Sequence, residues 1–87
     1  VVLLDEPLSA LDPITRARLA TELRSIFSAL SKTVVLVTHS LREAQFFAER
    51  IGLMRRGQIV QSGSLEQLER TPKDAFVTDF IAAERAL

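Results

Sequence analysis

The order of apolar and polar positions divides the chain into a regular first half and a different second half. Val1 to Leu4 form an unbroken apolar run. Such a run predicts a parallel strand covered on both faces, because a strand with one wet face would alternate. Pro7 to Leu11 reads as a loop. Asp12 followed by Pro13 is a helix start, with Asp as N-cap and Pro at the first helical position. Leu19, Leu23, Ile26, Phe27 and Leu30 recur on one stripe, with Arg18, Glu22 and Ser25 off it, which predicts an amphipathic helix over about 13–30. Thr33 to Thr38, TVVLVT, is a second strand rich in β-branched residues. Ser40 with Glu43 has capping-box spacing and starts a short helix at about 41 that ends near Glu49. Strand, long helix, strand, short helix is the rhythm of a parallel α/β fold.

After Glu49 the pattern changes. Ile51 to Met54 and Gln58 to Gln61 predict two strands joined through Arg55, Arg56 and Gly57 as a hairpin. Ser64 with Gln67 predicts another capped short helix, SLEQLER. Pro72 breaks the chain, and Phe76, Val77, Phe80 and Ile81 mark one face of a last helix.

Composition narrows the class. The 87 residues make one domain at most. A hydrophobic fraction of 47% and a charged fraction of 25% describe a globular chain rather than a disordered one. A formal net charge of +0 gives no electrostatic support for binding nucleic acid or an anionic membrane surface. The absence of cysteine excludes disulfides and thiolate metal sites. No apolar run approaches the ~20 residues of a membrane helix. With no signal peptide in view, a cytoplasmic location is expected. The chain opens with Val1 inside a predicted strand, without an initiator Met, and is read as an excerpt of a larger domain. Strands deprived of their neighbours expose apolar edges, so self-association or marginal stability is expected of this piece alone.

The candidate chemistry begins with Asp5 and Glu6, two carboxylates at the end of the first strand. Burying such charges is costly unless something compensates them. The carboxyl end of a strand is also where ligands bind in open α/β sheets. Each residue has a plainer reading on its own. The acidic pair could be a solvated strand end, Asp12 a helix cap, and His39, the single histidine, a capping or packing residue. Arg55 and Arg56 read as solvating a turn, and Phe46, Phe47 and the Phe76–Ile81 stripe read as packing. Gly52 and Gly57 have the glycine spacing of a phosphate-binding loop, G-x-x-x-x-G-K-[ST]. Gln58 and Ile59 stand where Lys and Ser/Thr are needed, so this match is rejected.

Together, VVLLDEP, then SALD, then VVLVTHS resemble the second half of an ATP-binding cassette (ABC) ATPase, the motor subunit of ABC transporters. The resemblance covers essentially the whole chain. It implies an α/β fold: part of a P-loop NTPase-like parallel sheet, followed by a β-hairpin and C-terminal helices. Residues 1–87 would then be the C-terminal portion of one nucleotide-binding domain. It implies ATP and Mg²⁺ as cofactors. Asp5 would hold the metal through water, and Glu6 would orient or deprotonate the attacking water. His39 would hydrogen-bond the γ-phosphate. Ser9, Ala10, Leu11 and Asp12 would form the D-loop at a dimer interface. An ordinary Glu, with a pKa of about 4.3, is a weak base at neutral pH, which favours orienting over deprotonating.

The implied partners are a second copy of the ATPase subunit, transmembrane permease subunits and, indirectly, a substrate-binding protein, with no nucleic acid. The implied place is the cytoplasmic face of the inner membrane. Neither the phosphate-binding loop nor an LSGGQ-type signature occurs within 1–87, so the chain alone is expected to be inactive. The stretch from Met54 to Ile81 resembles bacterial import subunits. The ending FVTDFIAAERAL resembles subunits importing osmoprotectants such as glycine betaine. Two other readings stay open. One is an ABC ATPase of the DNA-repair type, which Pro7 and the lack of a basic surface argue against. The other is a non-catalytic remnant serving as an interaction module.

Overall fold

A computed structural model describes residues 1–86. The element order is β1 (Val2–Asp5), α1 (Pro13–Ala29), β2 (Val34–Val37), α2 (Leu41–Phe47), β3 (Ile51–Arg55), β4 (Gln58–Gly63), α3 (Leu65–Arg70) and α4 (Ala75–Arg85). These fall into two compact units, Val1–His39 and the residues from Ser40 onward.

In the first unit β1 and β2 pair in parallel, with Val2 opposite Val34, Leu3 opposite Val35 and Asp5 opposite Val37. Parallel neighbours need a long crossover, and α1 provides it. Asp12 Oδ2 accepts the backbone N–H groups of Ile14 and Thr15, both at 3.0 Å, and Pro13 opens the helix. This cap is the one that the Asp-Pro pair announces.

The expected cover on both strand faces is not found. Both strands alternate between half-buried and exposed residues. Leu3 is 67% exposed and Val35 45%. The sheet has two strands among the described residues, so neither strand has a neighbour on its outer edge. The stripe on α1 is likewise only partly covered. Leu19, Leu23 and Phe27 are half-buried, whereas Ile26 and Leu30 are exposed. The loop between β1 and α1 contributes one fully buried side chain, Leu8.

The second unit has a closed core of Leu41, Ile51, Leu53, Leu68, Val77 and Ile81, with Ala44, Val60, Leu65 and Phe80 packed against it. Each such side chain stabilises the unit by about 1.5–3 kcal/mol when fully removed from water. β3 and β4 are antiparallel. Their turn places Arg56 at φ 53° and Gly57 at φ 77°. Two successive left-handed residues are the pattern of a two-residue hairpin turn whose twist matches the strands. The ladder slips between Leu53 and Met54: Leu53 faces Gln61 and Met54 faces Ile59, leaving Val60 as the extra residue of a bulge.

Polar side chains fasten the helices of this unit. Ser64 Oγ accepts from the Gln67 N–H at 3.1 Å, and Gln67 Oε1 accepts from the Ser64 N–H at 2.9 Å, completing a capping box. A Cβ on Gly63 would lie 2.5 Å from that Gln67 oxygen, so a larger residue before Ser64 would push the oxygen aside. Asp74 Oδ1 caps α4 through the N–H groups of Phe76 and Val77. Gln61 is buried and bonded at both ends of its amide: Nε2 donates to the Thr71 carbonyl at 3.1 Å, and Oε1 accepts from the Lys73 N–H at 2.8 Å. Arg55 does more than solvate the turn. Its guanidinium lies 4.8 Å from the centre of the Phe76 ring, a cation–π arrangement. No helix among the described residues is long and apolar enough to cross a membrane.

Candidate functional site

The site is built on the carboxyl ends of two neighbouring parallel strands. β1 ends at Asp5, and Glu6 follows in the left-handed region at φ 50°. That conformation costs a non-glycine residue about 1–3 kcal/mol, and it persists only where the surroundings impose it. The surroundings here are hydrogen bonds on both sides of Glu6. Its N–H donates to the Val37 carbonyl at 2.8 Å, extending the ladder by one step. Its carbonyl accepts from the Ser9 N–H at 3.3 Å and from Ser9 Oγ at 3.1 Å. Glu6–Pro7–Leu8–Ser9 is thus a β-turn, with proline at the second position, where its fixed φ suits the turn.

His39 follows β2 by two residues. Its Nε2 lies 3.2 Å from Glu6 Oε1. The imidazole is 95% exposed, whereas the Glu6 side chain is 24% exposed. Glu6 Oε1 is itself buried, and no hydrogen bond of acceptable geometry reaches it among the described residues. The imidazole is therefore within ion-pair range without saturating that oxygen. Unsatisfied buried acceptors are uncommon and call for an explanation.

Asp5 is exposed at the same strand end, opposite Val37. No group of three His, Cys, Asp or Glu side chains able to hold a metal occurs among the described residues. Two adjacent carboxylates fit the way Mg²⁺ is commonly held, by one or two carboxylates with water and phosphate completing the shell. They do not fit a cage made of protein alone.

The loop from Ser9 to Asp12 leaves Ser9, Ala10 and Asp12 exposed and Leu11 half-buried. Its shape is fixed from both sides. The Leu11 N–H donates to the Leu8 carbonyl at 3.4 Å, and the Arg16 guanidinium donates to the Leu11 carbonyl at 2.9 Å. The Thr15 hydroxyl, followed by the backbone N–H groups of Thr15 and Ile14, holds the Asp12 carboxyl below the usual carboxylate range.

The structure thus brings Glu6 and His39 into contact, with Asp5 next to Glu6 in sequence. It gives Asp12 the capping role. The left-handed Glu6 and the Arg16 tether are not foreseen from the residues. The only local signal for the first is Pro7 with Ser9 two positions on, a turn pattern.

No family model matches the chain. Individual proteins do. The chain is 45% identical over all 87 residues to the choline transport ATP-binding protein OpuBA of Bacillus subtilis. It is 44% identical, again over all 87 residues, to the glycine betaine/carnitine/choline transport ATP-binding protein OpuCA of the same organism. It is 45% identical over 84 residues, 97% of the chain, to the Fe(3+) ions import ATP-binding protein FbpC of Streptomyces coelicolor. Its homologues are the ATP-binding proteins of ABC transporters. The chain spans 23% of the length of each of the first two relatives and 24% of the third. A parallel strand pair, a hairpin and helices are consistent with one part of an ABC ATP-binding domain. The names of these ABC relatives cover both quaternary amines and iron, so similarity alone does not fix a solute.

Proposed function

We propose that the chain is the C-terminal portion of the nucleotide-binding domain of an ABC importer, and that the intact subunit couples ATP hydrolysis to solute uptake. The observation that carries this reading is the Glu6 carboxylate, held at the end of β1 in a left-handed backbone with its buried oxygen 3.2 Å from His39 Nε2.

A buried carboxylate oxygen with unused acceptor capacity suits a water molecule. Glu6 orients that water toward the γ-phosphorus. His39 donates a hydrogen bond to a phosphate oxygen, which imidazole does in either protonation state. Asp5 would hold Mg²⁺, which would neutralise charge on the phosphates. Ser9, Ala10, Leu11 and Asp12 meet a second copy of the subunit. Permease subunits and, through them, a substrate-binding protein complete the assembly at the cytoplasmic face of the membrane. Residues 1–87 alone carry no phosphate-binding loop and turn over no ATP.

For the solute we favour a quaternary-amine osmoprotectant. The FVTDFIAAERAL ending and the names of the two Bacillus relatives support it, and the iron importer matched at similar identity is the competitor.

The test uses the intact subunit. Glu6→Gln keeps the shape and removes the charge, and turnover is expected to fall about 10²- to 10⁴-fold with ATP binding retained. Unchanged turnover refutes the role of Glu6. Uptake of ferric iron without uptake of choline or glycine betaine refutes the solute.

A further inference from the structure

We infer that Ser9 is a positioning residue for Glu6 of its own chain, its hydroxyl holding the left-handed backbone that sets the Glu6 carboxylate against His39. The inference rests on the ATPase reading above and adds a residue to it.

Two peptide planes flank the Glu6 Cα. The plane before it is fixed by the Glu6 N–H donating to the Val37 carbonyl at 2.8 Å. The plane after it carries the Glu6 carbonyl, which accepts from Ser9 twice. Once both planes are fixed, φ and ψ are fixed, and so is the direction of the Cα–Cβ bond. The side chain then reaches His39 Nε2 at 3.2 Å.

The two bonds from Ser9 are not equivalent. The backbone N–H is 3.3 Å from the carbonyl, at the long end for such a bond. The hydroxyl is at 3.1 Å. Without the hydroxyl, one long bond opposes the intrinsic tendency of a non-glycine residue to leave the left-handed region. The hydroxyl is not there for packing, because Ser9 is exposed. The turn is rooted instead by the fully buried Leu8 and by Arg16 bonding the Leu11 carbonyl. Removing the hydroxyl therefore disturbs the Glu6 backbone while the rest of the loop stays anchored.

The experiment compares the intact wild-type subunit with Ser9→Ala and Ser9→Thr, by steady-state kinetics and by crystal structures. For Ser9→Ala, kcat falls about three- to tenfold, as expected for one hydrogen bond. The loss falls on kcat rather than on KM for ATP, and Glu6 leaves positive φ. Ser9→Thr restores both kcat and the positive φ. An unchanged kcat, or a Glu6 that keeps its positive φ in Ser9→Ala, overturns the inference. A raised KM or weakened dimerisation at constant kcat also overturns it, and leaves Ser9 with the interface contact alone. A wild-type subunit that does not hydrolyse ATP sinks the ATPase reading, while the crystal structures still decide the Ser9–Glu6 relationship.

Discussion

Glu84 Oε1 accepts the backbone N–H of Leu41 at 2.6 Å, so α4 supplies a carboxylate to the first turn of α2 from 43 residues away in sequence. The first N–H groups of a helix have no partner within it, and negative charge is favourable at that end. Ser40 Oγ satisfies the Glu43 N–H locally, and Glu84 satisfies the one at Leu41. Glu84→Ala is expected to destabilise the chain by about 1–2 kcal/mol, and Glu84→Gln by less, because the amide oxygen still accepts. Urea unfolding midpoints check both. Equal loss in the two variants would show that charge, not acceptance, is what matters.

Asp12 gives α1 a pH dependence whose sign is fixed. Its carboxyl titrates lower in the folded chain, first because of the Thr15 hydroxyl and then because of the backbone N–H groups of Thr15 and Ile14. A lowered folded value means that the stabilisation is fully present above the unfolded value of about 3.9 and is lost as pH falls through the folded one. Asparagine is a comparable N-cap without the charge. The stability difference between wild type and Asp12→Asn should therefore shrink on acidification below about pH 4. Helicity and melting followed from neutral to strongly acid pH measure it. A difference that stays constant across that range would remove the carboxylate from the explanation.

Gln61 joins β4 to the segment between α3 and α4. Gln61→Leu preserves burial but leaves the Thr71 carbonyl and the Lys73 N–H without this partner. The expected cost is roughly 2–4 kcal/mol, from two unmet backbone groups. Gln61→Glu keeps an acceptor for Lys73 but sets a buried carboxylate oxygen against the Thr71 carbonyl, and should be the least stable near neutral pH. Thermal unfolding of the three forms orders them.

Leu3 and Val35 face each other across the parallel pair on its exposed side. Edges and apolar faces of this kind recruit further strands. The 87-residue chain by itself should associate in a concentration-dependent way, and Leu3→Lys or Val35→Lys should reduce that association. Sedimentation velocity over a hundredfold range of concentration checks it. A monomer throughout would contradict the expectation.

These cases also show where sequence reasoning reaches. The Asp12–Pro13 helix start and the Ser64–Gln67 box are written within four residues each and form as expected, and the hairpin forms where expected, although Arg55, expected in its turn, closes β3 instead. The parallel pairing of the two apolar strands is foreseen as well. Burial is not, because an apolar run reports what a strand prefers to meet rather than what lies beside it. The approach of Glu84 to Leu41, Gln61 to Lys73 and Arg55 to Phe76 depends on tertiary placement and leaves no local mark. At the candidate site the acidic pair and His39 stand out as residues, but the positive φ of Glu6 is set by bonds to Val37 and Ser9 that no periodicity encodes.

The extra residue at Val60 has a consequence for how this hairpin tolerates changes in length. Strict alternation would turn Val60 and Gln61 to opposite sides, yet Val60 packs against the core and its neighbour Gln61 is buried. Deleting one residue here would put the rest of β4 out of phase, carrying the amide away from Thr71 and Lys73. At the Arg56–Gly57 tip, where no packed side chain depends on the count, a longer loop would be absorbed. Insertions and deletions in relatives should therefore gather at the tip and avoid the slip.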